Sequence, residues 1–317
     1  AFKVGPGASF NGGSVTHTFY NSFTNNGTVT SSGFLQFLPS TPVNLSFGGT
    51  AFSSTGTVRL GGTGLITLAG IAPSLGELQI ANTHPSGVTA HTNLTIAAGL
   101  VVNAGCTFSA GAGLTHTLEG KISNEGVIDG QSSTVLQNGA TEISGNGSTT
   151  FNHLGLSGTV FALSDFNISG NFTNNGAFDG TGATIRFTGS SASSIAGSSP
   201  PLFDSLEIAK TGSTVFSGIA LSNLNEVIVS NGTFDLGAFA LSETSGAGSL
   251  SVNAGSTLKI GGANSLPLFT IYILDAAGTV EYAGSGTQII AAQNYGSLTS
   301  SSTGARTLAS TPSWPEY

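Results

Sequence analysis

Asp204 and Glu207, in Phe203-Asp-Ser-Leu-Glu-Ile208, are the closest-spaced pair of acids in this chain. Paired carboxylates are the usual equipment for acid–base cleavage of a glycosidic bond. Aligned across internal repeats, Asp204 matches Gly76, Asn152 and Gly296, a turn position, and Glu207 matches Gln79, Gly155 and Thr299, an outer strand face. The pair therefore reads as a solvated turn and rim, with convergence of Asp165, Asp179 and Asp204 across turns as the alternative. Asp129, Asp179 and Asp235 occupy similar corners and could stack to hold Ca²⁺, but the Gly-Gly-x-Gly-x-Asp nonapeptide of calcium rolls is absent. Asx turns are the expectation there. His17, His84, His91, His116 and His153 show no ligand spacing and read as isolated surface or turn residues. Cys106 reads as an inert buried thiol. Two Thr-His-Thr triplets, at 16–18 and 115–117, are too few for an ice-binding array. No catalytic, cofactor-binding or metal-binding residue is assigned, and the chain is not expected to be an enzyme.

The elements that would carry these residues come from a repeat. A strand Thr-[Val/Ile]-x-[apolar], then Gly, then [aromatic/Leu]-x-x-Leu-x-[Ile/Leu], occurs at 57–80, 134–156, 184–208 and 279–300. Its spacing is irregular but near multiples of about 19 to 25 residues, the size of one solenoid turn. The expectation is a signature on every second to fifth rung, with degenerate rungs between. Asn124-Glu-Gly, Asn174-Asn-Gly, Ser230-Asn-Gly and, more weakly, Asn25-Asn-Gly mark corners, where Gly is expected to supply positive φ. Alternation puts Val58, Ile185 and Val280 inward and Arg59, Arg186 and Glu281 outward. Leu136 breaks that pattern, so either the register slips there or something covers Leu136.

The fold class is all-β: a parallel β-helix (β-solenoid) of roughly 12–16 rungs, without significant helix. Composition agrees, with 47 Gly, no Met, 7% charged residues, 38% hydrophobic residues and a mean hydropathy of +0.23. Such a chain can bury a core and is not of the disordered class. The domain reading is an N-terminal arm or cap over 1–22, able to act as an inter-subunit strand, a single solenoid over 23–310, and a tail over 311–317, where two prolines stop the strand pattern. A start at Ala1 without Met reads as a removed signal peptide, hence an extracellular or cell-surface protein. Net charge −8 argues against nucleic acid, and no apolar run long enough for a membrane span is present. The first acid is Glu77, so only Lys3 and Arg59 carry charge before it, which suggests complementarity between the two ends.

The segments 183–189 through 203–208 and 171–179 resemble right-handed parallel β-helix surface proteins of bacteria: filamentous adhesins, autotransporter passengers and Gly/Asn/Thr-rich secreted repeat proteins of Bacteroidota. The resemblance covers roughly residues 20–300 and implies an exported structural, adhesive or filament-forming role without catalytic residues. No capping helix is evident at either end, so the expected partner is a copy of the chain, joined head to tail. Two rivals remain. One is a monomeric adhesin binding surface glycans through Tyr272, Tyr282, Tyr295 and Trp314, and the other is a polysaccharide lyase or hydrolase.

Overall fold

The computed structural model describes residues 1–243 and 246–309, and the tail at 311–317 lies outside them. The protein is a parallel β-solenoid of stacked coils with about 21 residues per turn, and no helix occurs among the described residues. The chain divides into two compact units, Ala1–Phe166 and Asn167–Tyr317.

The first unit has three faces. Phe2–Val4, Phe23–Asn25, Val43–Ser46, Ile66–Ala69, Val88–Ala90, Thr107–Ser109, Val127–Asp129 and Ser148–Phe151 pair in parallel succession on one face. A second face starts at Ser9–Asn11 and ends in Thr134–Gln137 and His153–Leu156. A third runs from His17–Phe19 through Leu35–Phe37, 57–60, 77–80 and 99–102 to Lys121–Asn124, Thr141–Ser144 and Thr159–Ala162. Residues 1–22, expected as an arm or cap, supply the first coil of this stack. Their three short strands cannot bury an apolar face alone and pair with the coil that follows.

In-register stacking produces the core. Leu35, Val58, Leu78, Leu100, Ile122 and Ile143 form one inward ladder, each at most 3% exposed. Burial of each such side chain contributes about 1.5–3 kcal/mol. The four sequence copies now have a plain meaning: the two halves of each are the same strand position one coil apart. Val58 pairs with Leu78, Val135 with Leu154, Ile185 with Leu206, and Val280 with Leu298. The signature thus reports a stacked strand pair on any face; 57–60 lies on the third face and Thr134–Gln137 on the second. Leu136 keeps the register, and Gly155 one coil later gives it room, since a Cβ there would meet Leu136 Cδ2 at 2.9 Å.

The corners bear out the positive-φ expectation at Gly232, with φ +79°, and correct it at Gly27 and Gly126. Asn25 and Asn124 are buried, and each Oδ1 accepts the N–H of the glycine two residues on, at 3.0 and 2.9 Å. Their Nδ2 groups donate across the coil boundary to Ala51 O at 2.8 Å and Ser148 O at 3.0 Å. Gly27 and Gly126 do not adopt positive φ. Glycine is required because a Cβ would lie 2.1 Å from Ala8 O or 2.3 Å from Cys106 O, where one coil rests on another.

In the second unit, 184–187, 205–208, 226–229, Ser249–Val252 and Ile271–Leu274 form one face. Phe172–Asn174, Ser193–Gly197, 214–217, 233–235, Thr257–Ile260, Thr279–Tyr282 and Ser297–Ser300 form the next. Leu221–Leu224 with Leu241–Glu243, and Gln288–Ile290 with Arg306–Leu308, are shorter pairs. Ile185, Leu206, Val227 and Leu250 make its inward ladder, each 0% exposed.

Candidate functional site

The carboxylates singled out from sequence are engaged in structure. Asp204 accepts the Gly182 N–H at 2.9 Å and the Asn225 amide, and Glu207 accepts Arg186 Nε at 2.6 Å and the Ser230 hydroxyl at 2.7 Å. Asp129, Asp179 and Asp235 each accept an N–H two residues on, at 3.0, 3.0 and 2.9 Å, which makes them Asx turns. They do not stack on one another: Asp129 lies between Ser109 and Thr150, and Asp235 between Phe216 and Lys259. Among the described residues no cluster of three His, Cys, Asp or Glu side chains could hold a metal.

His116 departs from the surface reading, being 2% exposed. Its Nδ1 accepts the Leu94 N–H at 3.2 Å, so Nε2 carries the proton and donates to Ala110 O at 2.7 Å. Burial holds its pKa below the ordinary 6.5. A small apolar cavity beside it, with room for about one water, is lined by Leu94, Phe108, Leu118 and Val135. With both ring nitrogens paired, His116 has no free atom for a ligand. Cys106 is buried, and desolvation pushes its thiol up.

Lys210 was not flagged by sequence and is fully enclosed. Nζ donates to Ser169 O at 2.8 Å and Thr188 O at 2.5 Å, and burial pulls the amine down to about 8. Strand parity was the available signal, because Leu206, Ile208 and Lys210 alternate inward together.

The tyrosines give no open aromatic platform. Tyr282 is 0% exposed, with its hydroxyl 3.2 Å from that of Tyr295, which donates to Ala291 O at 2.9 Å. Burial and the Tyr282 hydroxyl raise the Tyr295 phenol. Tyr272 OH accepts the Phe269 N–H at 3.0 Å and donates to Pro267 O at 2.9 Å. Trp314, the fourth expected member, lies outside the described residues.

The sheet ladder is interrupted at Ile271–Leu274. This strand pairs with Ser249–Val252 and with no later strand among the described residues, whereas the neighbouring face continues to Ser297–Ser300. At the level of its next rung the chain passes through residues 291–296 without forming a strand, and Gly296 packs against Asp275 O. The Ile271 and Asp275 N–H groups donate back to Gly248 O at 3.0 Å and Val252 O at 2.9 Å. Strand alternation therefore aims the N–H and C=O of Tyr272 and Leu274 at the open side. Inward Tyr272 and Leu274 are only half-buried, and Ile271, Ile273 and Leu268 are 49%, 55% and 76% exposed. Asp275 follows the strand directly, and Glu243 reaches Thr270 at its start, whereas Glu281 lies on the neighbouring strand beside Lys259. Glu243 accepts both the N–H and the hydroxyl of Thr270 at 2.8 Å, and that N–H holds its carboxyl below the usual range.

No family model, no curated protein and no solved structure matches this chain. No helix among the described residues is long and apolar enough to cross a membrane.

Proposed function

We propose that this is an exported structural protein, a subunit of an extracellular filament or surface fibre that assembles head to tail through its solenoid ends. The observation that carries the reading is the interrupted sheet face at Ile271–Leu274, where backbone without a ladder partner among the described residues coincides with exposed Ile271 and Ile273. An open, apolar, β-branched edge recruits another strand unless charge, proline or a covering element blocks it. The likeness to bacterial adhesins and autotransporter passengers belongs to this proposal, as does the extracellular location.

Negative-stain electron microscopy of the purified chain across a concentration series tests it. Unbranched fibres whose proportion grows with concentration are the expected result. Separate particles at every concentration would overturn it and favour the glycan-binding adhesin or the polysaccharide-cleaving reading.

A further inference from the structure

The first coil leaves its core unfinished. Phe2, Phe10 and Phe19 stand in register on Phe23, Val29 and Phe37, which are at most 1% exposed, yet they are themselves only half-buried. Their rings meet edge to face, with Phe2 5.1 Å from both Phe10 and Phe19, and form an apolar plate. Among the described residues, the three strands around this plate pair only with the second coil. The Phe2 and His17 N–H groups donate to Ser22 O and Phe34 O, and the Ala8 and Phe19 carbonyls accept from Thr28 and Leu38. Alternation therefore turns the N–H and C=O of Lys3, Ser9, Asn11 and Thr18 away from the second coil.

The coil at 297–308 presents the converse edge. Among the described residues Ser297–Ser300 pairs only with Thr279–Tyr282, and Arg306–Leu308 only with Gln288–Ile290. All four residues of Ser297–Ser300 are exposed. Leu298 and Leu308, in register with inward Val280 and Ile290, are 43% and 68% exposed. The Ser297 and Ser301 N–H groups donate back to Gly278 O and Tyr282 O, and the Ala309 N–H to Ile290 O. The groups turned the other way are those of Leu298, Ser300, Arg306 and Leu308.

We propose that the first coil of one copy seats on the 297–308 coil of another, in parallel register with Ser9–Asn11 on 297–299 and His17–Phe19 on Arg306–Leu308. This rests on the self-assembly reading and supplies its joint. The register is the one that coils keep within the chain. Phe10 covers Leu298 and Phe19 covers Leu308, while the Asn11 and Thr18 N–H groups fall opposite the Leu298 and Arg306 carbonyls. Charge selects unlike ends. Lys3 and Arg59 are the only charged side chains before Glu77, whereas fifteen acids and five cations leave the rest of the sequence at −10. Two first coils meeting would set Lys3 against Lys3. A heterologous joint of this kind repeats without closing, as a filament requires.

Sedimentation velocity on full-length variants tests the joint. Ser9→Pro with Thr18→Pro removes two N–H groups that face away from the second coil, so this variant should melt near the wild type and stay monomeric. Leu298→Asp with Leu308→Asp puts charge where Phe10 and Phe19 would sit and should also stay monomeric. Each variant keeps one sound end, so a mixture of the two should form a 1:1 dimer that grows no further. Polymer from the proline variant at wild-type concentrations would overturn the first coil as the joint and leave self-assembly standing. A dimer of the aspartate variant alone would mean that like ends meet, and polymer from it would overturn the seat at 297–308, whether or not the proline variant folds. A mixture that stays monomeric while the wild type assembles would overturn the pairing of these two ends. A wild-type chain that never assembles would instead remove the underlying reading.

Discussion

Lys210 and His116 show what enclosure does to single side chains. The Lys210 amine falls to about 8 when folded and holds its proton to about 10.5 when unfolded. Between those values the unfolded chain binds more protons, so stability rises with pH, and the deficit at lower pH is at most about 3 kcal/mol. From pH 8 to pH 10, the melting temperature of the wild type should climb relative to Lys210→Met, which has no amine to titrate. Parallel curves for the two proteins would show that Lys210 reaches solvent. His116 works in the opposite range. Its folded pKa lies below 6.5, so the unfolded chain takes up the proton first and stability should fall as pH drops through 6.5. His116→Leu should remove that slope. It should also cost about 2–4 kcal/mol in urea titrations, because the Leu94 N–H and Ala110 C=O lose their partner.

At the scale of the element, the corner decides how closely coils approach. Asn124 accepts one backbone N–H and donates to Ser148 O and to Thr149 Oγ1, the latter at 2.9 Å. Asn124→Ala should cost about 2–4 kcal/mol by chemical denaturation, since buried groups on two coils are left unpaired. Gly126→Ala should be at least as damaging, because its Cβ would sit 2.3 Å from Cys106 O. Gly105→Ala meets nothing within 4 Å and pays only for its φ of +71°, so it serves as the milder comparison. These corners also show where sequence reading succeeds and stops. Period-two alternation placed Val58, Ile185 and Val280 inward, and Asn-x-Gly located corners, because both signals are local. The reason for Gly at 27 and 126 was not legible: the clash is with a carbonyl about one coil away in sequence. Parity would have placed His116 and Lys210 inside had it been followed through polar residues. The open edge at 271–274 could not be read, since it arises where a later segment fails to add a strand, despite a repeat signature over 279–300.

At the scale of the molecule, each coil contacts chiefly its neighbours, so stability should behave as a sum of coils and interfaces rather than as one indivisible core. The register makes this testable within the first unit. Leu100 pairs with Ile122 on one side and with Leu78 on the other. Deleting residues 100–121 joins Gly99 directly to Ile122, which inherits the position of Leu100 on the third face. Leu78 then meets Ile122, and Val88 on the first face meets Ile128 in place of Phe108. The shortened chain should keep a β-sheet circular dichroism spectrum and melt cooperatively at a lower temperature. Deleting only 100–110 removes about half a turn and carries each following strand of the coil onto the wrong face, turning inward residues such as Ile122 away from their ladder. That variant should lose its cooperative transition. Equal damage from both deletions would mean that the coils are not interchangeable and that stability depends on contacts reaching beyond adjacent turns.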